Sequence, residues 1–211
     1  MKKNLSAPLR LRASALKTEP FAGLILAGGE GRRFGGPKAW AELPDGKTFL
    51  ESCFRALRDA EAKPIVATLP HGAVDPGIDR LTTVMLPGPG LDMFASIKAG
   101  LGCLVDFSVW EKVALLPVDH PLVKASSVTT LVSGAALAAI PSHNGKHGHP
   151  VCLARSVVEG IVSGEFVGPT LREVLRSVGA VDVPVEDTGV ITNCNTPAAL
   201  SAALRATNSD F

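Results

Sequence analysis

Apolar positions along this chain fall into short unbroken runs separated by segments whose apolar residues recur at helical spacing. Leu24 to Ala27, Pro64 to Leu69, Thr82 to Leu86 and Val113 to Val118 are each four to six residues long, the length of a buried strand and too short for an ordinary helix. Between them, Thr48-Phe49-Leu50-Glu51 reads as a capping box. Leu50, Cys53, Phe54 and Leu57 then mark one helical face, which Lys63-Pro64 closes. Leu91 to Leu101 reads as a second helix, with Phe94, Ile97 and Leu101 on one face and Gly100 and Gly102 at its end. Ser126 or Ser127 is positioned to cap a third, through Val128, Leu131 and Val132. Strands alternating with helices predict parallel β-α units with helices on both faces of one sheet.

The second half of the chain is less regular. Ser142 to Pro150 is a polar excursion before the strand-like Val151-Cys152-Leu153. Thr170-Leu171-Arg172-Glu173 is a second capping box, ahead of Leu171, Val174, Leu175 and Val178. Val181 to Val185 and Val190-Ile191 read as late strands. Thr196-Pro197 opens the last helix, with a cap residue followed by proline at the first helical position.

The chain has 211 residues, 46% of them apolar, enough for one sizeable core and one domain. Mean hydropathy is +0.26, yet no apolar run approaches the ~18 residues of a membrane span. The four cysteines lie more than 40 residues apart, without a C-x-x-C pair, which argues for buried free thiols in a reducing cytoplasm. Residues 1–20 carry five basic residues and one acidic, and read as a basic disordered tail ahead of a domain spanning 21–211. Without them the net charge of +1 becomes −3, so the body lacks the basic excess of a nucleic-acid binder. The tail has no long apolar stretch for a secretory signal, although its composition also suits an organelle transit peptide.

The chemistry concentrates just after the first strand. Glycines stand at 28, 29, 31, 35 and 36, interleaved with Arg32, Arg33 and Lys38. Such a loop can wrap an anion with its N–H groups, while the cations offset the remaining charge. It is not a dinucleotide fingerprint, because Phe34 stands where the third glycine is required. Nor is it a P-loop, because Lys38 is followed by Ala39 and no hydroxyl follows for a magnesium ion. Asp119 follows the buried run 113–118 and therefore sits at the carboxyl edge of the sheet, where open α/β folds bind ligands. With a phosphate loop beside it, Asp119 is the natural ligand for Mg²⁺, which takes one or two carboxylates plus substrate phosphates. His143, His147 and His149 lie in a glycine-containing loop without helical register and without an adjoining Cys or carboxylate, so a dedicated metal site is disfavoured there.

The string from Leu26 to Lys38, LAGGxGxRFGxxK, resembles the signature loop of the MobA-like nucleotidyltransferases. That family includes molybdenum-cofactor guanylyl- and cytidylyltransferases and relatives acting on sugar phosphates. The resemblance covers about residues 21–205 and implies a three-layer α/β/α, Rossmann-like fold with a mostly parallel sheet. It places Arg33 and Lys38 on the phosphates and implies nucleotide contacts at Leu26, Ala27, Gly28, Gly29, Gly31 and Ser96. Asp119-His120-Pro121 resembles the family's Asp-x-Pro motif, which implies Mg²⁺ on Asp119. Asn193-Cys194-Asn195-Thr196-Pro197 is similar to its C-terminal motif, with Asn195 where many nucleotidyltransferases carry a second carboxylate. Gly148-His149-Pro150 resembles the segment that cytidylyl members place beside the acceptor, and implies an acceptor contact at His149.

The implied reaction is nucleotidyl transfer: a phosphomonoester, molybdopterin in most of the family, attacks the α-phosphorus of a nucleoside triphosphate and releases pyrophosphate. Lys38, Arg33 and Asp119 are the catalytic candidates, with Mg²⁺ on Asp119 and Asn195. Gly28 and Asn195 point to GTP, whereas Gly148-His149-Pro150 points to CTP. A sugar-phosphate nucleotidyltransferase and a non-catalytic nucleotide-binding regulatory protein are the alternative readings. A triphosphate and a phosphorylated small molecule are the expected partners, with neither nucleic acid nor membrane.

Overall fold

The computed structural model describes residues 19–29, 31, 34–166 and 170–207. Its strands are β1 (Phe21–Leu26), β2 (Ile65–Leu69), β3 (Leu81–Met85), β4 (Lys112–Pro117), β5 (Ala138–His143), β6 (Lys146–His147), β7 (Val151–Ala154) and β8 (Val181–Pro184). Its helices are α1 (Phe49–Asp59), α2 (Met93–Val105), α3 (Ala125–Val132), α4 (Arg155–Ser163), α5 (Leu171–Ser177) and α6 (Pro197–Thr207). The strands form one sheet in the order β3-β2-β1-β4-β7-β5-β6, with β8 pairing in parallel to β5. β1, β2, β3 and β4 are mutually parallel, whereas β7 runs against both β4 and β5. The sheet is therefore mixed but mostly parallel, as expected.

Alternation along the strands divides the core into two layers. Phe21 and Ile25 of β1 and Ala114 and Leu116 of β4 face α1 and α3. Ala22, Leu24, Val113 and Leu115 point the other way, onto α2, α4 and α5. Each fully buried Leu or Ile among them contributes about 1.5–3 kcal/mol by burial. The α1 capping box forms as read: the Thr48 hydroxyl accepts from Glu51 N, and the Glu51 carboxylate accepts from Thr48 N. Such a cap stabilises by about 1 kcal/mol.

Several local expectations are overturned by packing. Val190-Ile191 is not a strand but part of a 3-10 turn, Thr188–Ile191, capped by Asp187. α2 does not end at its glycines but runs on to Val105, because Gly100 lets the helix approach β1: a Cβ there would lie 2.5 Å from Leu24 Cδ1. The polar stretch 142–150 contributes the end of β5 and all of β6. α3 starts after Lys124, and neither Ser126 nor Ser127 caps it. The Asp187 carboxylate accepts from Lys124 N at 2.8 Å and from Ser127 Oγ at 2.8 Å instead. Glu19 and Pro20, assigned to the tail by composition, hold to the body. Glu19 pairs with the buried Lys112 at 3.2 Å, and Pro20 O accepts from Glu111 N at 2.8 Å. Residues 1–18 lie outside the described residues, and no described helix is long and apolar enough to cross a membrane.

Candidate active site

The chain order around β1 creates the site. From β1 the chain passes to β2 and β3 on one side, then returns to β4 on the other, so the connections leaving β1 and β4 part company at their carboxyl ends. Leu26 lies opposite Pro117, and Val118 N donates to Leu26 O at 3.1 Å. The glycine loop and Asp119 are thereby delivered side by side.

The loop is folded on itself by backbone bonds. Gly31 O accepts from Phe34 N at 2.8 Å and from Gly36 N at 3.3 Å. Gly31 has φ +62°, and a Cβ there would fall 1.9 Å from Gly36 O, so this position admits only glycine. The loop then runs into a 3-10 turn, Lys38–Trp40, seated by the buried Ala39. This turn aims Lys38 at Asp119.

Lys38 Nζ stands 3.2 Å from Asp119 Oδ2 and also donates to Asn195 Oδ1. Asn193 Nδ2 donates to the same Asp119 oxygen at 2.9 Å, and Cys194 N donates to Asp119 O at 2.7 Å. Three expected residues, drawn from the loop, the end of β4 and the segment before α6, thus meet at one point. Asn193, given no role by sequence reasoning, joins them; its signal was its place in the same short motif as Asn195.

A cavity of about 250 Å³ opens here, lined among others by Leu26, Gly28, Gly29, Lys38, Ser96 and Asp119. A second, about 450 Å³, shares Gly28, Gly29 and Leu91 with it and extends between Gly31, His71 and Leu86. Together they fall in the range of small-molecule sites, roughly 300–1,000 Å³. Ser96 is largely buried, and its hydroxyl donates to Asp92 O at 3.2 Å. Asp92 is the ordinary N-cap of α2, accepting from Ala95 N. The Ala27 side chain is buried in the core and lines neither cavity, and Ala27 N donates to Thr68 O at 3.1 Å. Arg33 lies outside the described residues.

His149 is not on either cavity wall. Its ring packs edge-to-face on His120, centroids 4.8 Å apart, and the buried Nδ1 atoms of both have no partner. Burial pulls the His149 pKa down to about 4, the neighbouring His120 adding to the effect while Asp119 opposes it. Burial also lowers His120, against the opposing pull of Asp119. Both rings are neutral at neutral pH. The nearby thiols are poor nucleophiles: burial raises Cys53, with Asp119 reinforcing, and raises Cys194 to about 11. The arrangement suits chemistry by charge and positioning rather than a covalent intermediate.

The sequence matches the MobA-like NTP transferase domain over residues 23–181. This chain belongs to that family. It is 32% identical over 191 residues to a molybdenum cofactor guanylyltransferase of Rhodobacter capsulatus, covering 87% of this chain and 94% of that one. Among solved structures it resembles a protein from Mycobacterium sp. strain JC1, with TM-score 0.72 and 26% identity over 88% of this chain and 98% of that chain. It also shares the fold of molybdopterin-guanine dinucleotide biosynthesis protein A of Archaeoglobus fulgidus, with TM-score 0.62 and 21% identity over 89% and 99% of the two chains. The family transfers nucleotides from nucleoside triphosphates to phosphorylated acceptors, which accounts for a site built from a glycine loop, one lysine and one carboxylate.

Proposed function

We propose that this protein transfers the guanylyl group of GTP to the phosphate of molybdopterin cofactor and releases pyrophosphate. The observation that carries this reading is the convergence of Lys38, Asp119 and Asn195 at the mouth of the glycine-loop cavity. The identity to a guanylyltransferase over most of the chain supports the choice of nucleotide and acceptor. The glycine of the Gly148-His149-Pro150 segment, the one feature pointing to CTP, has a packing explanation. A Cβ at Gly148 would lie 2.2 Å from Val190 O, so glycine is needed there whichever base is bound.

In this mechanism an acceptor phosphate oxygen attacks the α-phosphorus, and the bond from that phosphorus to the β-phosphate bridging oxygen breaks. A phosphomonoester with second pKa about 6 is already largely dianionic, so no general base is required. The residues instead overcome repulsion between anions. Loop amides cradle the triphosphate, and Lys38 offers its charge to the phosphates. The Asp119 carboxylate and the Asn195 amide oxygen already surround one cation, the Lys38 ammonium, and as an all-oxygen pair they have the donor chemistry that magnesium takes. Asp119 and Asn195 would hold Mg²⁺, which would supply neutralising charge to the triphosphate.

Pyrophosphate release from each of the four ribonucleoside triphosphates, with and without molybdopterin, tests the proposal. Release from GTP that depends on molybdopterin is expected. Release from CTP instead, or with a sugar phosphate in place of molybdopterin, would overturn the choice of substrates. No release from any pair would leave a nucleotide-binding protein without catalysis.

A further inference from the structure

Lys38 occupies a position with a consequence for the order in which ligands arrive. Its ammonium lies between Asp119 Oδ2 and Asn195 Oδ1, the two oxygens that the proposed function gives to the metal. We infer that Lys38 is the resident cation of the nucleotide-free site, and that a divalent metal gains Asp119 and Asn195 only when a triphosphate draws the ammonium away. This rests on the reading of Asp119 and Asn195 as metal-holding residues.

The local structure supports an exchange confined to the side chain. The backbone at Lys38 is fixed: its carbonyl accepts from Ala41 N at 3.0 Å, and Ala39 beside it is 1% exposed. The stem beyond Cα is four flexible carbons carrying a compact charge, which can change partners without moving the turn. The Lys38 and Asp119 side chains are 21% and 17% exposed, so their pairing is partly sheltered from solvent screening. Among the described residues, Lys38 is the full positive charge paired with Asp119; its other side-chain partner, Asn193, is a neutral amide.

Charge then sets the order of events. A divalent cation placed against the same two oxygens would face the ammonium at close range, and the repulsion would cancel much of its attraction to a single carboxylate. A triphosphate in the cavity beside Lys38 offers that ammonium several anionic oxygens instead. Metal and nucleotide therefore enter together, and the nucleotide-free protein keeps Asp119, Asn193 and Asn195 in register around Lys38.

Mn²⁺ titration of the nucleotide-free protein, read from the paramagnetic resonance signal of the free ion, tests this without turnover. The wild type should bind weakly, and Lys38→Met should bind at least roughly tenfold more tightly, because the competing charge is gone. Lys38→Gln keeps a polar group of similar length and should show the same gain, which guards against a folding defect in the first variant. Adding Asp119→Asn to Lys38→Met should erase the gain. Equal Mn²⁺ affinity in the wild type and both Lys38 variants would overturn the inference, and the proposed transferase reaction, tested by pyrophosphate release, would stand. Failure of every form to bind Mn²⁺, even with a non-hydrolysable GTP analogue present, would overturn the inference together with the assignment of the metal to Asp119.

Discussion

Asn193 and Lys38 meet at a single oxygen: Asn193 Nδ2 donates to Asp119 Oδ2 at 2.9 Å, and Lys38 Nζ approaches the same atom at 3.2 Å. The carboxylate at the end of β4 is therefore oriented from both sides, by the segment before α6 and by the turn after the glycine loop. Its direction is set before any ligand arrives.

Replacing that carboxylate should separate chemistry from binding. Asp119→Asn keeps the size and one oxygen but removes the charge, so kcat should fall by roughly 10²–10³ while triphosphate affinity changes by only a few-fold. Initial-rate measurements across Mg²⁺ concentrations, alongside calorimetric titration of the nucleotide, check this. Undiminished metal-dependent turnover would locate the ion elsewhere.

Lys38→Ala should abolish turnover and leave the protein folded. The side chain is partly exposed and serves charge, and pairs of this kind contribute about 0–1 kcal/mol to stability. A thermal melt followed by circular dichroism should move by only a few degrees. Global unfolding would mean the residue belongs to the scaffold.

Gly28→Ala should discriminate between bases. The added methyl would lie 2.3 Å from Leu86 Cδ1, the far end of a flexible side chain, so Leu86 must move. Leu86 lines the larger cavity, and its displacement intrudes on space available to a purine. KM for GTP should rise several-fold with little loss of stability, while competition by CTP should weaken less. An unchanged GTP-to-CTP preference would separate Gly28 from base selection.

Asp187→Ala should cost stability. Asp187 is 5% exposed and accepts from Lys124 N, Ser127 Oγ and Gly189 N, at 2.8, 2.8 and 2.9 Å. Truncation leaves these donors without their acceptor, at a cost of about 3 kcal/mol. Urea unfolding should show a lower midpoint with an unchanged slope.

Folding should weaken below neutral pH through His149. Its folded pKa, about 4, lies below the ordinary 6.5, so between those values the unfolded chain binds the proton and the folded ring does not. Stability is complete above about 6.5 and declines toward about 4, by on the order of 3 kcal/mol for this group. His149→Gln should flatten that part of a stability-versus-pH curve measured by urea unfolding. An identical slope in the variant would assign the loss to other groups.

The sequence by itself determined the elements whose information is local. Runs such as Val113 to Val118 and Ile65 to Leu69 are buried strands because nearly every side chain in them is apolar. Thr48 and Glu51 cap α1 because donor and acceptor lie three residues apart. The glycine spacing and Asp119 after β4 exposed the glycine loop and the carboxylate beside it for the same reason. Only the tertiary structure decided what depends on partners distant in the chain. Lys38 reaches Asn195 across 157 residues, and no local pattern encodes that meeting. The start of α3 is anchored by Asp187 through Lys124 N and Ser127 Oγ, and α4 follows β7 directly from Ala154 without any side-chain cap, so its start left no signal. Val190 and Ile191 have strand-like side chains, but Asp187 N-caps the 3-10 turn that holds them. A hydrophobic period is written residue by residue, whereas a hydrogen-bond partner tens of residues away exists only once the sheet has brought the two together.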